Sequence, residues 1–214
     1  MTGKIKLNAT SGGGSVSFQA PSSTGDDRII TLPTTADGTV LTTTNPKSGN
    51  IIQVVATNVT AKSSVVFSNA SLANTPCTVT ITSTAANSKF LISGSIGGEA
   101  NVEDHSVGFV LRRVIGGSGS SINVGDGSGS RVSISFMQGV GYHGDDQSST
   151  PATSVLSSYL DSPSQAAGTA ITYKIDIIGL GQGGTFYFGS SAADSDGSSY
   201  ERLPNNITVM EVAG

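Results

Sequence analysis

The chain has 214 residues, 36% of them hydrophobic, which suffices for one or two domains with their own core. Only 12% are charged and the formal net charge is −4. No basic stripe is available to meet phosphate, so nucleic acid is not expected as a partner. The 28 glycines and abundant Ser and Thr interrupt nearly every window before a helical period can develop, which predicts an all-β protein with under about 10% helix.

Residues 4 to 44 carry short alternating segments: Ile5 with Leu7, Val16 with Phe18, Ile30 with Leu32, and Val40 with Leu41. Turn signals separate them at Ser11-Gly12-Gly13-Gly14, at residues 21–25 and at Asp37-Gly38. A ladder this thin has little core per chain. It therefore reads either as a β-stalk buried jointly by several chains or as a small β-layer. Thr44-Asn45-Pro46-Lys47-Ser48-Gly49-Asn50 reads as the joint, which gives an N-terminal segment 1–49 and a head 50–214.

In the head, strand candidates fall at 51–57, 64–68, 77–83, 88–96, 106–115, 131–137, 171–178, 185–188 and 207–213. They fit an antiparallel β-sandwich with jelly-roll-like topology. Phe90 and Ile92, Val107 to Leu111, Val132 with Ile134 and Phe136, and Tyr173 with Ile175 and Ile177 are expected to line the inner faces. The 171–177 run and Thr185-Phe186-Tyr187-Phe188 read as a hairpin across the glycine-rich 179–184 turn. Ile207 to Val212 requires a partner strand. The spacing of Val155, Leu156, Tyr159 and Leu160 between Pro151 and Pro163 suits a helical turn as well as a strand. Cys77 alternates with Val79 and Ile81, as a buried inert thiol would.

These stretches carry a family resemblance. Tyr159-Leu160-Asp161-Ser162-Pro163, Thr172-Tyr173-Lys174-Ile175 and the terminal Ile207-Thr208-Val209-Met210-Glu211-Val212-Ala213-Gly214 resemble the C-terminal module of virion structural and tail-fibre proteins of cyanophages and related marine phages. The likeness extends through Asn50-Ile51-Ile52-Gln53-Val54-Val55, Ser88-Lys89-Phe90-Leu91-Ile92 and residues 113–131, and the segment before it resembles the fibre-stalk leader of the same proteins. The resemblance implies a phage-particle component, a threefold stalk over residues 4–44, and a strand rather than a helix at 155–160.

Few residues suggest chemistry. His105 and His143 are the only imidazole bases, and Asp104-His105 and Tyr142-His143-Gly144-Asp145-Asp146 read as solvated loop, so no catalytic residue is assigned. Two histidines and a strand cysteine make no zinc pattern, and no cofactor is expected. Asp194, Asp196 and Glu201 form a weak calcium candidate that lacks the regular ligand spacing of a calcium loop. The long loops 116–130, 139–150 and 189–199 combine small residues with Tyr142, His143, Asp145, Asp146 and Tyr200, a mixture suited to sugars through ring stacking and carboxylate hydrogen bonds. No secretory leader follows Met1 and no stretch approaches 18 apolar residues, so the chain is expected to be soluble, made in the host cytoplasm without export, and not inserted in a membrane.

The expected function is a non-enzymatic, homotrimeric tail-fibre adhesin on the virion that contacts a host surface glycan or protein. The alternative is a capsid-decorating or tail adaptor protein bound to other virion tail or capsid proteins. A polysaccharide depolymerase is more distant, since no acid pair stands out.

Overall fold

The computed structural model describes residues 4–19, 25, 46–102, 106–139, 151–198 and 200–214. The chain divides into two compact units, Met1–Val40 and Leu41–Gly214. In the first, β1 (Lys4–Asn8) and β2 (Ser15–Gln19) form an antiparallel ribbon with Ile5 opposite Phe18. A two-stranded ribbon cannot cover its own side chains, and Ile5, Leu7 and Phe18 remain 66%, 55% and 48% exposed. The segments expected around Ile30 to Leu32 and Val40 with Leu41 lie outside the described residues.

The second unit contains β3 (Ile51–Val59), β4 (Ser63–Phe67), β5 (Leu72–Thr82), β6 (Lys89–Ala100), β7 (Val107–Ile115), β8 (Ser118–Ser121), β9 (Phe136–Met137), β10 (Ala152–Asp161), β11 (Ala170–Gly179), β12 (Gly184–Phe188) and β13 (Asn205–Val212). The described residues contain no α-helix. Pro46 to Asn50, expected to be the joint, is bonded into this unit: Gly49 donates to the Ala213 carbonyl and Ala213 to that of Asn50.

β6 is the hub of one sheet. β13 pairs with its residues 89–95 and β10 with residues 90–98, so the two must occupy opposite edges. β3 adds to the outside of β13, giving the order β3-β13-β6-β10. β12 continues beyond β13 on the same edge of β6 and carries β4. The facing sheet runs β5-β11-β7-β8, with β9 sharing the β8 edge of β7. Setting aside β4, β9 and β12, the remaining eight strands place first, eighth, third and sixth in one sheet and second, seventh, fourth and fifth in the other. That is the jelly-roll arrangement of two Greek keys.

The structure corrects two local expectations and decides a third. β11 and β12 do not form a hairpin, because β11 pairs with β5 and β7 while β12 pairs with β4 and β6; residues 180–183 instead carry the chain between sheets. Of the 131–137 segment only Phe136 and Met137 pair. Phe136 stacks on Phe109 at 5.0 Å, whereas Val132 is exposed and Ile134 packs outside the sheet over Gly108. The ambiguous 155–160 stretch is strand β10, and a bulge between Leu156 and Tyr159 breaks the alternation that would have revealed it.

The inner faces bring Phe90, Ile92, Phe109, Leu111, Tyr173, Ile175, Phe186 and Val209 together, all fully buried. Cys77 lies among them, and burial raises its thiol pKa to about 12. Gly94 on β6 faces this core. A Cβ there would lie 2.7 Å from the Asn206 carbonyl oxygen and 3.2 Å from Ile175 Cδ1, so the sheets could not close to their present spacing.

Two buried carboxylates fix the layers at the end where residues 46–50 enter. Asp161, closing β10, accepts both oxygens' bonds from Arg113 Nη1 of β7 at 2.7 and 2.9 Å, and one from the Tyr173 hydroxyl of β11 at 2.8 Å. Burial and that hydrogen bond push the Tyr173 hydroxyl far above its ordinary pKa, so it stays a donor. Glu211 of β13 accepts bonds from the Thr84 and Ala85 amides at 2.9 and 3.2 Å and from the Gln53 side chain, holding the 83–88 crossover. Burial opposes its ionisation, but these donors and Ser88 outweigh it and keep the carboxyl below its ordinary range.

Two outcomes follow for stability in denaturant titrations. Tyr173→Ala or Ile175→Ala should cost about 2–5 kcal/mol. Lys174→Ala, on the outer face of β11, would be nearly free on strand position alone. However, Lys174 is the nearer cation, at 3.0 Å, to the buried Asp176, with Arg112 at 3.6 Å; its loss should cost about 1–3 kcal/mol. Glu211→Gln should lower stability at pH 7 and reduce its pH dependence. Since the folded pKa of Glu211 lies below the unfolded one, its contribution is complete above about pH 4.3 and is lost as pH falls through the folded value. An unchanged acid slope in Glu211→Gln would contradict the assignment.

Candidate binding site at the distal pole

Strand directions divide the connections of the second unit between two poles. The proximal pole holds residues 46–50, the 83–88 and 162–169 crossovers, and the Gly116-Gly117 turn joining β7 to β8. Both glycines have positive φ, 56° and 84°, as a two-residue hairpin turn requires. At the distal pole lie the described ends of the 101–106 and 138–151 connections, together with 180–183 and 189–204. Of the three loops expected to bind, 116–130 therefore starts at the proximal pole and is partly strand β8. The other two spring from the distal pole.

These two are anchored around one residue of β6. Gly98 pairs with Ala152, where the 140–150 segment ends, and on its other edge with Phe188, where the 189–204 loop begins. Gly139, before the first segment, donates to Ser154 Oγ at 2.8 Å. Tyr142, His143, Asp145 and Asp146 lie outside the described residues, as do Asp104 and His105. Tyr200 is half-buried on the 189–204 loop, its amide donating to the Gly197 carbonyl.

The 189–204 loop is cinched at its base and its middle. Gly189 donates to the Gly97 carbonyl, Leu203 donates back to Gly189, and the buried Glu99 accepts the Ala192 amide at 2.8 Å. Asp194, at positive φ, then takes a cation on each oxygen: Lys62 Nζ at 2.5 Å and Arg202 Nη2 at 2.6 Å. The Lys62 hydrogen bond, supported by the Arg202 charge, holds its carboxyl below the usual range. This is an ion-paired joint between loops rather than an assembled calcium site. Asp196 and Glu201 are exposed, and no group of three His, Cys, Asp or Glu side chains among the described residues is arranged to hold a metal ion.

Beside Asp194 lies a cleft of about 280 Å³ lined by Lys62, Ser63, Ser64, Tyr187, Ser190 and Ala192. Its floor follows from strand alternation. Phe186 and Phe188 turn inward to the core, so Tyr187 turns outward, opposite Ser64 of the paired β4. Small hydroxyl side chains leave room for a ligand, Tyr187 offers a ring, and the Lys62–Asp194 pair offers donors and acceptors of both signs. Such a lining suits a polyhydroxylated group of about one sugar ring. Sequence reading did not single out Lys62, Tyr187 or Arg202, because Lys62 and Asp194 are 132 positions apart and only the sheet topology joins them.

Asp194→Ala should release the loop, raising amide exchange over residues 190–204 while leaving that of β6 and β13 unchanged. Unchanged exchange in the loop would show that the ion pairs do not order it.

No family model matches this chain, and no curated protein is similar to it.

Proposed function

We propose that the chain is a non-enzymatic adhesin of a phage particle, assembled as a homotrimer through its N-terminal segment, whose head contacts a host surface glycan or protein. The observation that carries this reading is the polarity of the head. Its chain entry lies at one pole, while the 189–204 loop and the hydroxyl-lined cleft lie at the other, where a tethered head would meet a surface. The resemblance of residues 50–214 to marine-phage fibre modules supports the same reading. Adhesion would work by avidity: three weak sites on one rigid assembly act at high effective concentration, so modest single-site affinity gives lasting attachment.

Adsorption of the purified protein to host cells tests the reading. Tyr142→Ala with Asp145→Ala, and separately Tyr187→Ala with Ser64→Ala, should reduce adsorption at least about tenfold at whichever loop binds, with little change in melting temperature. Full adsorption by both double variants would place contact elsewhere. If the protein does not adsorb but is found on the capsid or tail of intact particles, a decorating or adaptor role replaces the adhesin.

A further inference from the structure

The outer face of the β3-β13-β6-β10 sheet is apolar over its proximal half and nearly uncharged throughout, where solvent-facing antiparallel sheets normally carry a charged and polar covering. One register row crosses all four strands as Val54, Met210, Leu91 and Leu160. The next row towards the proximal pole adds Ile51 beside Val212. Ile51, Val54 and Leu160 are 56%, 55% and 48% exposed. Towards the distal pole the face continues through uncharged side chains, with Ala56 beside Thr208 and Ser93, then Asn58 beside Asn206 and Ser95. Lys89, next to Val212 at the proximal margin, is the only charged side chain in these rows. The opposite sheet differs: its outer face carries Arg112, Lys174 and Asp176, and Ile134 packs over Gly108.

We infer that this face is where the head meets another copy of the same chain. Identical surfaces meet without repulsion only if they are neutral or self-complementary, and in a chain of net charge −4 this is a nearly uncharged surface with an apolar proximal half. Its size also fits. Four strands about 4.8 Å apart and about nine residues long at 3.3 Å each give roughly 500 to 600 Å² per copy, or on the order of 1,000 Å² for the pair, the lower bound for a specific interface. Assembly through the head thus adds to any assembly through residues 4–44, and it does not rest on the adhesion reading.

Cys77 is fully buried, so an introduced cysteine would be the reactive thiol of the chain. In the full-length protein at micromolar concentration, Val54→Cys and Leu160→Cys should give covalently linked copies with a short bismaleimide. Thr80→Cys, exposed on the other sheet, should remain uncoupled. Adding Leu160→Lys to Val54→Cys should reduce the linked fraction at least fivefold, with circular dichroism and melting temperature showing that both variants are folded. Equal coupling at Thr80, or none at Val54 and Leu160, would overturn the inference. So would cysteines that react freely in the purified protein and are protected only in assembled particles, since the occupant would then be another particle protein. Adsorption is read separately, so loss of either result leaves the other intact.

Discussion

Asp161 ends β10 with its carboxylate turned between the two sheets, where Arg113 and Tyr173 of the facing sheet both reach it. A carboxylate there would be costly alone, and so would the guanidinium. Together, with the phenol as third partner, their hydrogen bonds satisfy one another and tie β10 to β7 and β11. The tie sets the proximal spacing of the layers. From that spacing follow the closeness that Gly94 permits against Ile175 and the depth to which Phe90 is buried against Tyr173, with ring centres 5.9 Å apart. Glu211 does for the 83–88 crossover what Asp161 does for the sheets. Both carboxylates lie in interior positions, and both are engaged by donors from segments distant in the chain.

The distal pole is built on a different principle. Phe109, Phe136, Phe186 and Phe188 pack beneath it, and above them the 189–204 loop is ordered by hydrogen bonds to Gly97 and Glu99 and by the two cations on Asp194. Ion pairs near solvent contribute less to stability than buried ones and are screened by salt. The loop thus presents polar groups above an apolar core that runs the length of the sandwich. The cleft beside Asp194 is a by-product of β12 alternation: the residues that turn Phe186 and Phe188 into the core turn Tyr187 out.

The outer face of β3-β13-β6-β10 contrasts with the rest of the surface. Val66, Leu72 and Met137 are exposed singly on other strands, but here Ile51, Val54 and Leu160 are exposed together with Met210 and Leu91 between them. The β1–β2 ribbon repeats the pattern on a smaller scale with Ile5, Leu7 and Phe18. A jelly roll satisfies its own core with one face of each sheet, so these outer rows lie outside the core of the single chain.

The period-two alternation of Ile171 to Ile177, Phe90 to Ile92 and Val107 to Leu111 was sufficient by itself to determine an all-β sandwich and most of its inner faces, because strand geometry sends alternate side chains to opposite sides. The single cysteine among Val79 and Ile81 was legible as core for the same reason. Pairing was not legible. The 179–184 glycines suit a hairpin as well as a crossover, and only the requirement that β11 fill the centre of one sheet and β12 the margin of the other decides between them. Strand β10 was hidden by its bulge, β8 by its Gly-Ser composition. The cost of losing Lys174 was equally invisible, since Asp176 lies on the outer face of β11 and is buried beside Arg112 and Lys174 only once β7 pairs with that strand. Lys62, Asp194 and Arg202 meet, and Val54, Met210, Leu91 and Leu160 align in one row, because distant segments are brought into register by backbone hydrogen bonds. Local pattern records which side of a strand a residue takes; which residues stand beside it is decided only when the sheets close.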